Sequence, residues 1–313
     1  MTAVMRKFFI VSLAAILAAG CALLPTDFNG DGAPRQAAIV PLRSERPLVA
    51  LALGGGGARG FAHIGVIKAL EDAGIEADIV TGASSGAIVA ALYAGGRRGG
   101  ELWNIALTLQ RDDIVDFVLI GDGWVKGEAL QNFVNRQVDD RPIEQLPRHF
   151  ALVATEEKNY RMTVFNRGNT GVAVRASASV PRLFVPPVIN GEKYVDGGLT
   201  SPVPVKLARA MGADIVIAVD VSWFAQARNA GETGVEQRGP YRYGLLAEEL
   251  DAADIVITPQ TVRTRMLDFD HREENIIAGE RAGRDAASRI RKLIEKVAAR
   301  KHARRASMND DRR

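Results

Sequence analysis

A single cysteine, Cys21, stands among 313 residues, so an internal disulfide is excluded. Histidine is nearly as scarce: there are four, His63, His149, His271 and His302. No His and Cys residues cluster at metal-ligand spacing, so no zinc site, and no cofactor, is implied. A long apolar run is also missing. The stretch 8–17 follows Arg6-Lys7 and is too short for a convincing membrane span, which leaves a secretion signal as its reading. No internal repeat is present. The formal net charge of +3 is modest and concentrated at the end, where residues 289–313 carry ten Lys or Arg against three Asp or Glu. The remainder is slightly acidic, which argues against a nucleic-acid binder. At 47% hydrophobic content, a chain of 313 residues permits one sizeable domain with terminal extras.

What the chain does have is glycine in particular places. Thr81-Gly82-Ala83-Ser84-Ser85-Gly86 contains Gly-x-Ser-x-Gly between an apolar run and a helix-forming one. A nucleophilic serine on a strand-to-helix elbow needs small neighbours, and Gly82, Ala83 and Gly86 meet that need. Alone, the motif reads as an ordinary glycine turn ahead of a nucleophile. Upstream, the buried-strand pattern at 48–53 runs into Gly54-Gly55-Gly56-Gly57-Ala58-Arg59-Gly60. Successive amides in such a loop converge on an anion, whether a phosphate or an oxyanion. Gly55-x-Gly57-x-x-Gly60 also satisfies the dinucleotide fingerprint, but the acidic residue that should end the second strand is missing there: Asp78 opens that segment instead. No Gly-Lys-Ser/Thr follows, so a Walker loop fails.

A serine hydroxyl needs a base. None of the four histidines is well placed: His63 falls in the first helix after the glycine loop, where a packed or cap-bonding imidazole is expected, His149 precedes a strand, His271 lies in a charged loop and His302 in the basic tail. A carboxylate must then serve directly. Asp196, in Tyr194-Val195-Asp196-Gly197-Gly198, is suitably placed, and burial beside apolar residues raises a carboxylate toward the working range. By itself Asp196-Gly197 reads first as a turn closing a hairpin.

Together, Gly55-Gly56-Gly57-Ala58-Arg59-Gly60, Gly82-x-Ser84-x-Gly86 and Asp196-Gly197-Gly198 resemble the patatin-like phospholipase family in order and spacing. Ser177-x-Ser179-x-Pro181-x-x-Phe184-x-Pro186 is similar to that family's segment between nucleophile and base. The resemblance extends over 47–259 and implies a three-layer α/β/α patatin-like sandwich, class α/β, with a central mostly parallel sheet. It implies Ser84 as nucleophile, Asp196 as base without histidine, and amides around Gly55, Gly56 and Gly57 as oxyanion hole. Arg59 matches the family's basic position and either orients the loop or meets substrate phosphate. Ser201-Pro202 departs from the Asn-Pro of many relatives, a change expected to touch local bonding rather than chemistry.

The expected organisation is a signal peptide at 1–20, a tether at 21–46, the catalytic domain at 47–260 and a C-terminal helix with basic tail at 261–313. Small residues directly before Cys21 resemble a lipoprotein acylation site, which implies a membrane-anchored protein of the bacterial envelope, or one simply secreted to the periplasm. Asp27-x-Asn29-x-Asp31-Gly32 opens like a calcium loop, yet its twelfth position is Ala38, which cannot ligate metal. Strands are expected at 48–53, 78–83, 151–155, 161–165, 215–220 and 254–258, with helices near 61–73 and 85–93. Trp103, Phe117, Leu119 and Trp124 are apolar candidates for a lid or acyl pocket, or for plain core. Ala282, Ala286, Ile290, Leu293, Ile294 and Val297 recur at helical spacing and should pack on the domain. Arg300, Lys301, Arg304 and Arg305 offer a cationic cluster to solvent or to anionic lipid.

The reading that follows is a phospholipase, lysophospholipase or esterase acting on an acyl ester at a membrane. The alternatives are a noncatalytic envelope binding protein and a dinucleotide-binding oxidoreductase.

Overall fold

Alternate residues of three adjacent strands point into two different cores, and that alternation builds the layers. Val49, Leu51 and Leu53 join the larger cluster with Val80, Ile215, Ile217 and Val219. Ala50 and Ala52 turn to the opposite face with Val216 and Ala218. Strands buried on both faces read as continuous apolar runs, which is how a parallel sheet under helices must read.

The computed structural model describes residues 27–118 and 123–310. The expected signal, Cys21 and Leu119 lie outside the described residues. In chain order the elements are β1 (Asp27–Phe28), β2 (Val49–Leu53), α1 (Ala62–Asp72), β3 (Ile79–Ala83), α2 (Ser85–Ala94), α3 (Gly99–Thr108), α4 (Glu128–Gln137), β4 (His149–Glu156) and β5 (Met162–Phe165). They continue with α5 (Thr170–Ala178), β6 (Val188–Ile189), β7 (Glu192–Val195), α6 (Val205–Ala210), β8 (Ile215–Val219), α7 (Trp223–Asn229), α8 (Pro240–Asp251), β9 (Ile255–Ile257) and α9 (Arg272–Asp310). A 3-10 turn, Gly57–Phe61, leads into α1.

The sheet runs β1-β6-β7-β4-β3-β2-β8-β9, with β5 paired to β4. From β4 to β9 every neighbouring pair is parallel, and β5 and β7 add antiparallel partners to β4. The mostly parallel α/β/α arrangement expected from the motifs is therefore the one observed. The glycine loop leaves the C-terminal end of β2 and the serine elbow that of β3, the end where open α/β sheets place ligands.

Two terminal segments differ from their sequence reading or extend it. Residues 27–46, expected as tether, are docked along the domain. Asp27 and Phe28 pair with Val188 and Ile189, and Leu42 N–H donates to Met211 O at 2.8 Å. Asn166 Oδ1 accepts from Ala37 N–H at 2.7 Å. The docking combines these bonds with scattered apolar contacts of Phe28, Ala33, Ile39 and Leu42, whose irregular spacing leaves no periodicity to read. At the other end, α9 lays Ala286 and Ile290, both buried, into the larger core, with Ala282, Leu293, Ile294 and Val297 half-buried against it. Within the basic tail Lys301 pairs with Asp214 and Arg305 with Glu45, both at 2.5 Å.

Candidate active site

Ser84 is the residue between β3 and α2, held at φ 54° and ψ −129°. A side chain at positive φ is strained. The strain is held in place by neighbours: Ser84 N–H donates to Ser177 Oγ at 3.0 Å, and Ser177 Oγ donates to Val153 O at 2.6 Å. Gly82 permits the elbow, because a Cβ there would stand 2.6 Å from Ala87 Cα. Gly86 likewise lies against the backbone of Leu53 and Gly54.

Asp196 follows β7, and its Oδ2 accepts from Ser84 Oγ at 2.5 Å. Its Oδ1 accepts from Gly198 N–H at 2.8 Å. The backbone is pinned on both sides: Asp196 N–H donates to Ser179 O at 2.8 Å, and Thr155 Oγ1 donates to Asp196 O at 2.9 Å. Gly197 sits where any side chain would strike Val153 O. Burial pushes the Asp196 carboxyl above the ordinary aspartate range, while the Ser84 hydroxyl, the Gly198 amide and the charge of Arg242 pull it back. The pair of residues named from sequence is thus brought together, with the serine motif region at 177–179 supporting both.

The glycine loop is held at nearly every residue. Gly54 O accepts from His63 Nε2 at 2.8 Å. Gly55 N–H donates to Pro202 O at 3.0 Å, Gly56 N–H to Ser85 Oγ at 3.0 Å and Ala58 N–H to Met266 O at 2.9 Å. Of the three amides expected to form an oxyanion hole, those of Gly55 and Gly56 are therefore already committed inside the protein, a correction to the sequence reading. Gly57, at φ 60°, is the exception: its N–H has no acceptor among the described residues. Gly55 lies flush with Ser84, since a Cβ on it would come 3.0 Å from Ser84 Cβ. Gly60 is equally tight, 2.6 Å from Ser85 Oγ by the same construction. At the start of α2 there is no side-chain cap; Ala87 N–H donates to Ser84 O at 2.9 Å, which leaves the amides of Ser85 and Gly86 for an anion.

Arg59 resolves toward loop support. Its Nε donates to Val221 O at 2.9 Å, tying the loop to the end of β8. Burial lowers its guanidinium, opposed by the nearby charge of Asp220. His63 is fully buried and its imidazole is pushed down to about 4, chiefly by desolvation, so it is neutral at pH 7 and clamps Gly54. The departure at Ser201 is absorbed locally: its Oγ donates to Glu249 Oε1 at 2.6 Å.

Two cavities meet at Ser84. One, about 120 Å³, is almost wholly apolar and includes Ile88, Ile114, Leu130, Phe133 and Phe184 in its walls. The other, about 330 Å³, is reached by Asp196, Arg59, Arg238 and Arg242. Met266 and Gly57 border both. None of the aromatic candidates named from sequence lines the apolar cavity: Trp103 packs on the larger core, while Phe117 and Trp124 are exposed. Sequence reasoning missed Thr155, Met266, Arg238 and Arg242; each joins the site through long-range packing, and no local pattern marks them. Chemically, the arrangement supplies a strained serine, a buried carboxylate in direct contact with it, unengaged amides beside it, and a slot for an apolar chain.

Comparison with known proteins gives a consistent likeness. The family model described as patatin-like phospholipase matches residues 51–209. An uncharacterized NTE family protein of Mycobacterium tuberculosis is 36% identical over 192 residues, covering 60% of this chain and 53% of that one. Patatin-like phospholipase domain-containing protein 6 of Homo sapiens is 36% identical over 182 residues, covering 55% of this chain and 13% of that one. The matched stretch is thus about half the length of the mycobacterial relative and a far smaller share of the human one. Among solved structures, VipD from Legionella pneumophila superposes with a TM-score of 0.50 at 14% identity, covering 78% of this chain and 67% of that one, a likeness of fold alone.

Proposed function

This chain belongs to the patatin-like phospholipase family, and we propose that it is a serine lipid acyl hydrolase cleaving the carboxylic esters of phospholipids or lysophospholipids through an acyl-enzyme. The observation that carries the reading is the 2.5 Å bond from Ser84 Oγ to Asp196 Oδ2 at the meeting point of an apolar and a basic cavity.

In the first step Asp196 takes the Ser84 proton as Oγ attacks the ester carbonyl, and the alcohol portion leaves with that proton. A carboxylate held above its usual range is a better base at neutral pH than an exposed one. The tetrahedral oxyanion is met by the Gly57 amide and the first amides of α2, groups that need no reorganisation because the rest of the loop is already tied. Water, deprotonated by Asp196, then attacks the acyl-enzyme and regenerates Ser84. The acyl chain lies in the apolar cavity.

The oxidoreductase alternative is weakened by the same loop, since a pyrophosphate needs the amides that Pro202 and Ser85 occupy. A noncatalytic platform has no use for a strained serine in contact with a buried carboxylate. We further propose that Cys21 is acylated and holds the enzyme at the bacterial envelope. Cys21→Ser protein should move to the soluble fraction, and unchanged membrane retention would count against the anchor.

The hydrolase reading is tested with a short-chain p-nitrophenyl ester and a phospholipid. Wild type should cleave both, and Ser84→Ala and Asp196→Asn, folded by circular dichroism, should cleave neither. Equal hydrolysis by wild type and Ser84→Ala would refute it.

A further inference from the structure

The basic cavity holds three arginines, and they are not equivalent. Arg59 is spent on Val221 O and on the neighbourhood of Asp220. Arg238 is paired with Glu232 at 2.5 Å and lies 5.6 Å from the centre of the Trp223 ring, exposed at the rim. Arg242, in the first turn of α8, is exposed and makes no ion pair or side-chain hydrogen bond among the described residues. Yet it lines the same cavity as Ser84 and Asp196 and is near enough for its charge to act on the carboxyl.

An exposed guanidinium without a counter-ion is free to meet an anion that enters the cavity. The first turn of a helix carries partial positive charge, so Arg242 stands against the dipole. No acidic residue in that turn compensates, and Gly239, the preceding cap, lines the cavity too. Asp196 is the carboxylate of the cavity, and it is already bonded to Ser84 and Gly198. The opposite cavity accepts an apolar chain. An ester whose carbonyl sits at Ser84 with its chain in the slot must therefore direct its alcohol portion toward Arg242 and Arg238.

We propose that Arg242, assisted by Arg238, is a specificity-determining residue that binds a phosphate on the alcohol portion of the substrate. The chain thereby selects phosphate-bearing acyl esters over neutral ones of equal chain length. This rests on the hydrolase reading above. A guanidinium and a phosphate oxygen form charge-assisted, often bidentate bonds, which an alkylammonium cannot reproduce. Both arginines lie beyond residue 209, where the family match ends.

The test compares kcat/KM for a lysophospholipid and for a monoacylglycerol with the same acyl chain, in wild type, Arg242→Ala, Arg242→Lys and Arg238→Ala. Loss of the Arg242 charge near Asp196 affects both substrates alike and cancels in their ratio. The ratio should fall about 10-fold or more in Arg242→Ala, partly recover in Arg242→Lys, and fall less in Arg238→Ala. An unchanged ratio, with both esters still cleaved, overturns this proposal and leaves the hydrolase reading standing. No cleavage of either ester by wild type overturns both. Inorganic phosphate, added to the monoacylglycerol assay, separates two sources of the same chemistry. Competitive inhibition that weakens in Arg242→Ala marks a site that takes free phosphate, whereas no inhibition with a fallen ratio marks one that needs the phosphate attached to the lipid.

Discussion

The two cavities at Ser84 are built in different ways. The apolar one is walled by the 3-10 turn Gly57–Phe61, by α2 and α4 and by the segments 109–115, 178–184 and 266–269, and many of these side chains also close the larger core. Its shape follows from the same packing that stabilises the domain. The basic one is walled by the ends of β2 and β7 and by residues 222–246, where exposed arginines and a half-buried Trp223 face solvent. Packing dictates little there. The apolar half therefore lies within the family match, apart from Met266, Leu267 and Phe269, while the basic half joins residues of that match to residues beyond 209, Arg238 and Arg242 among them.

The largest perturbation removes the point at which the cavities meet. Ser84→Ala should lower kcat/KM on the order of 10⁴-fold or more for every ester, whatever its chain or headgroup, as a nucleophile removed from a working site does. A selective loss would mean the two halves act through different nucleophiles. A second perturbation touches only the apolar half: Ile114→Trp should cut kcat/KM for long-chain esters by about 10- to 100-fold, and short-chain esters far less, read across a series of p-nitrophenyl acyl esters. Equal losses along the series would show that the chain lies elsewhere.

The pH dependence then sharpens what lies between them. In the proposed mechanism Asp196 must be ionised, and burial holds it above the ordinary aspartate range, so activity should fall on the acid side with an apparent midpoint above that of a free aspartate. The same shift has a stability consequence of definite sign. A carboxyl raised in the native state binds its proton more tightly folded than unfolded, so it withdraws stability as pH rises through its native value. Asp196→Asn should therefore be more resistant to urea than wild type at pH 7 to 8 although inactive; a less stable variant would contradict the desolvated carboxylate.

A smaller effect comes from His63, beneath the glycine loop that borders both cavities. Its native value is depressed from 6.5 to about 4, so the unfolded chain takes up a proton that the folded one excludes. Full stability is present above 6.5 and is lost as pH falls toward 4, by about 3 kcal/mol in all. His63→Gln should flatten that slope in urea titrations between those pH values. The least effect is expected far from either cavity: Lys301→Ala removes the pair with Asp214 and should cost about 1 kcal/mol or less, with no change in acyl or headgroup preference.

The regularity of the sheet explains how much was legible beforehand. Contiguous apolar runs ending in glycine or aspartate mark β2 and β8 to within a residue, as strands buried on both faces are written. The elbow, its serine and the aspartate were legible for a related reason: close approach excludes side chains at Gly82, Gly86 and Gly197, so the constraint is visible as glycine. Other features leave no such mark. β1 is two residues paired with a strand 161 positions away, and its docking depends on backbone bonds. Which loop amides remain free is decided by Pro202 and Ser85, not by the loop itself. The walls of both cavities are assembled from residues that share no local pattern.

The central claim is that Ser84 is a nucleophile activated directly by Asp196. It is tested most directly by the rate at which an alkyl fluorophosphonate labels the protein, followed by intact mass and located by peptide mapping. The account predicts one adduct, on Ser84, formed at least about 100-fold more slowly in Asp196→Asn. Labelling at another residue, or equal rates in wild type and Asp196→Asn, would contradict it.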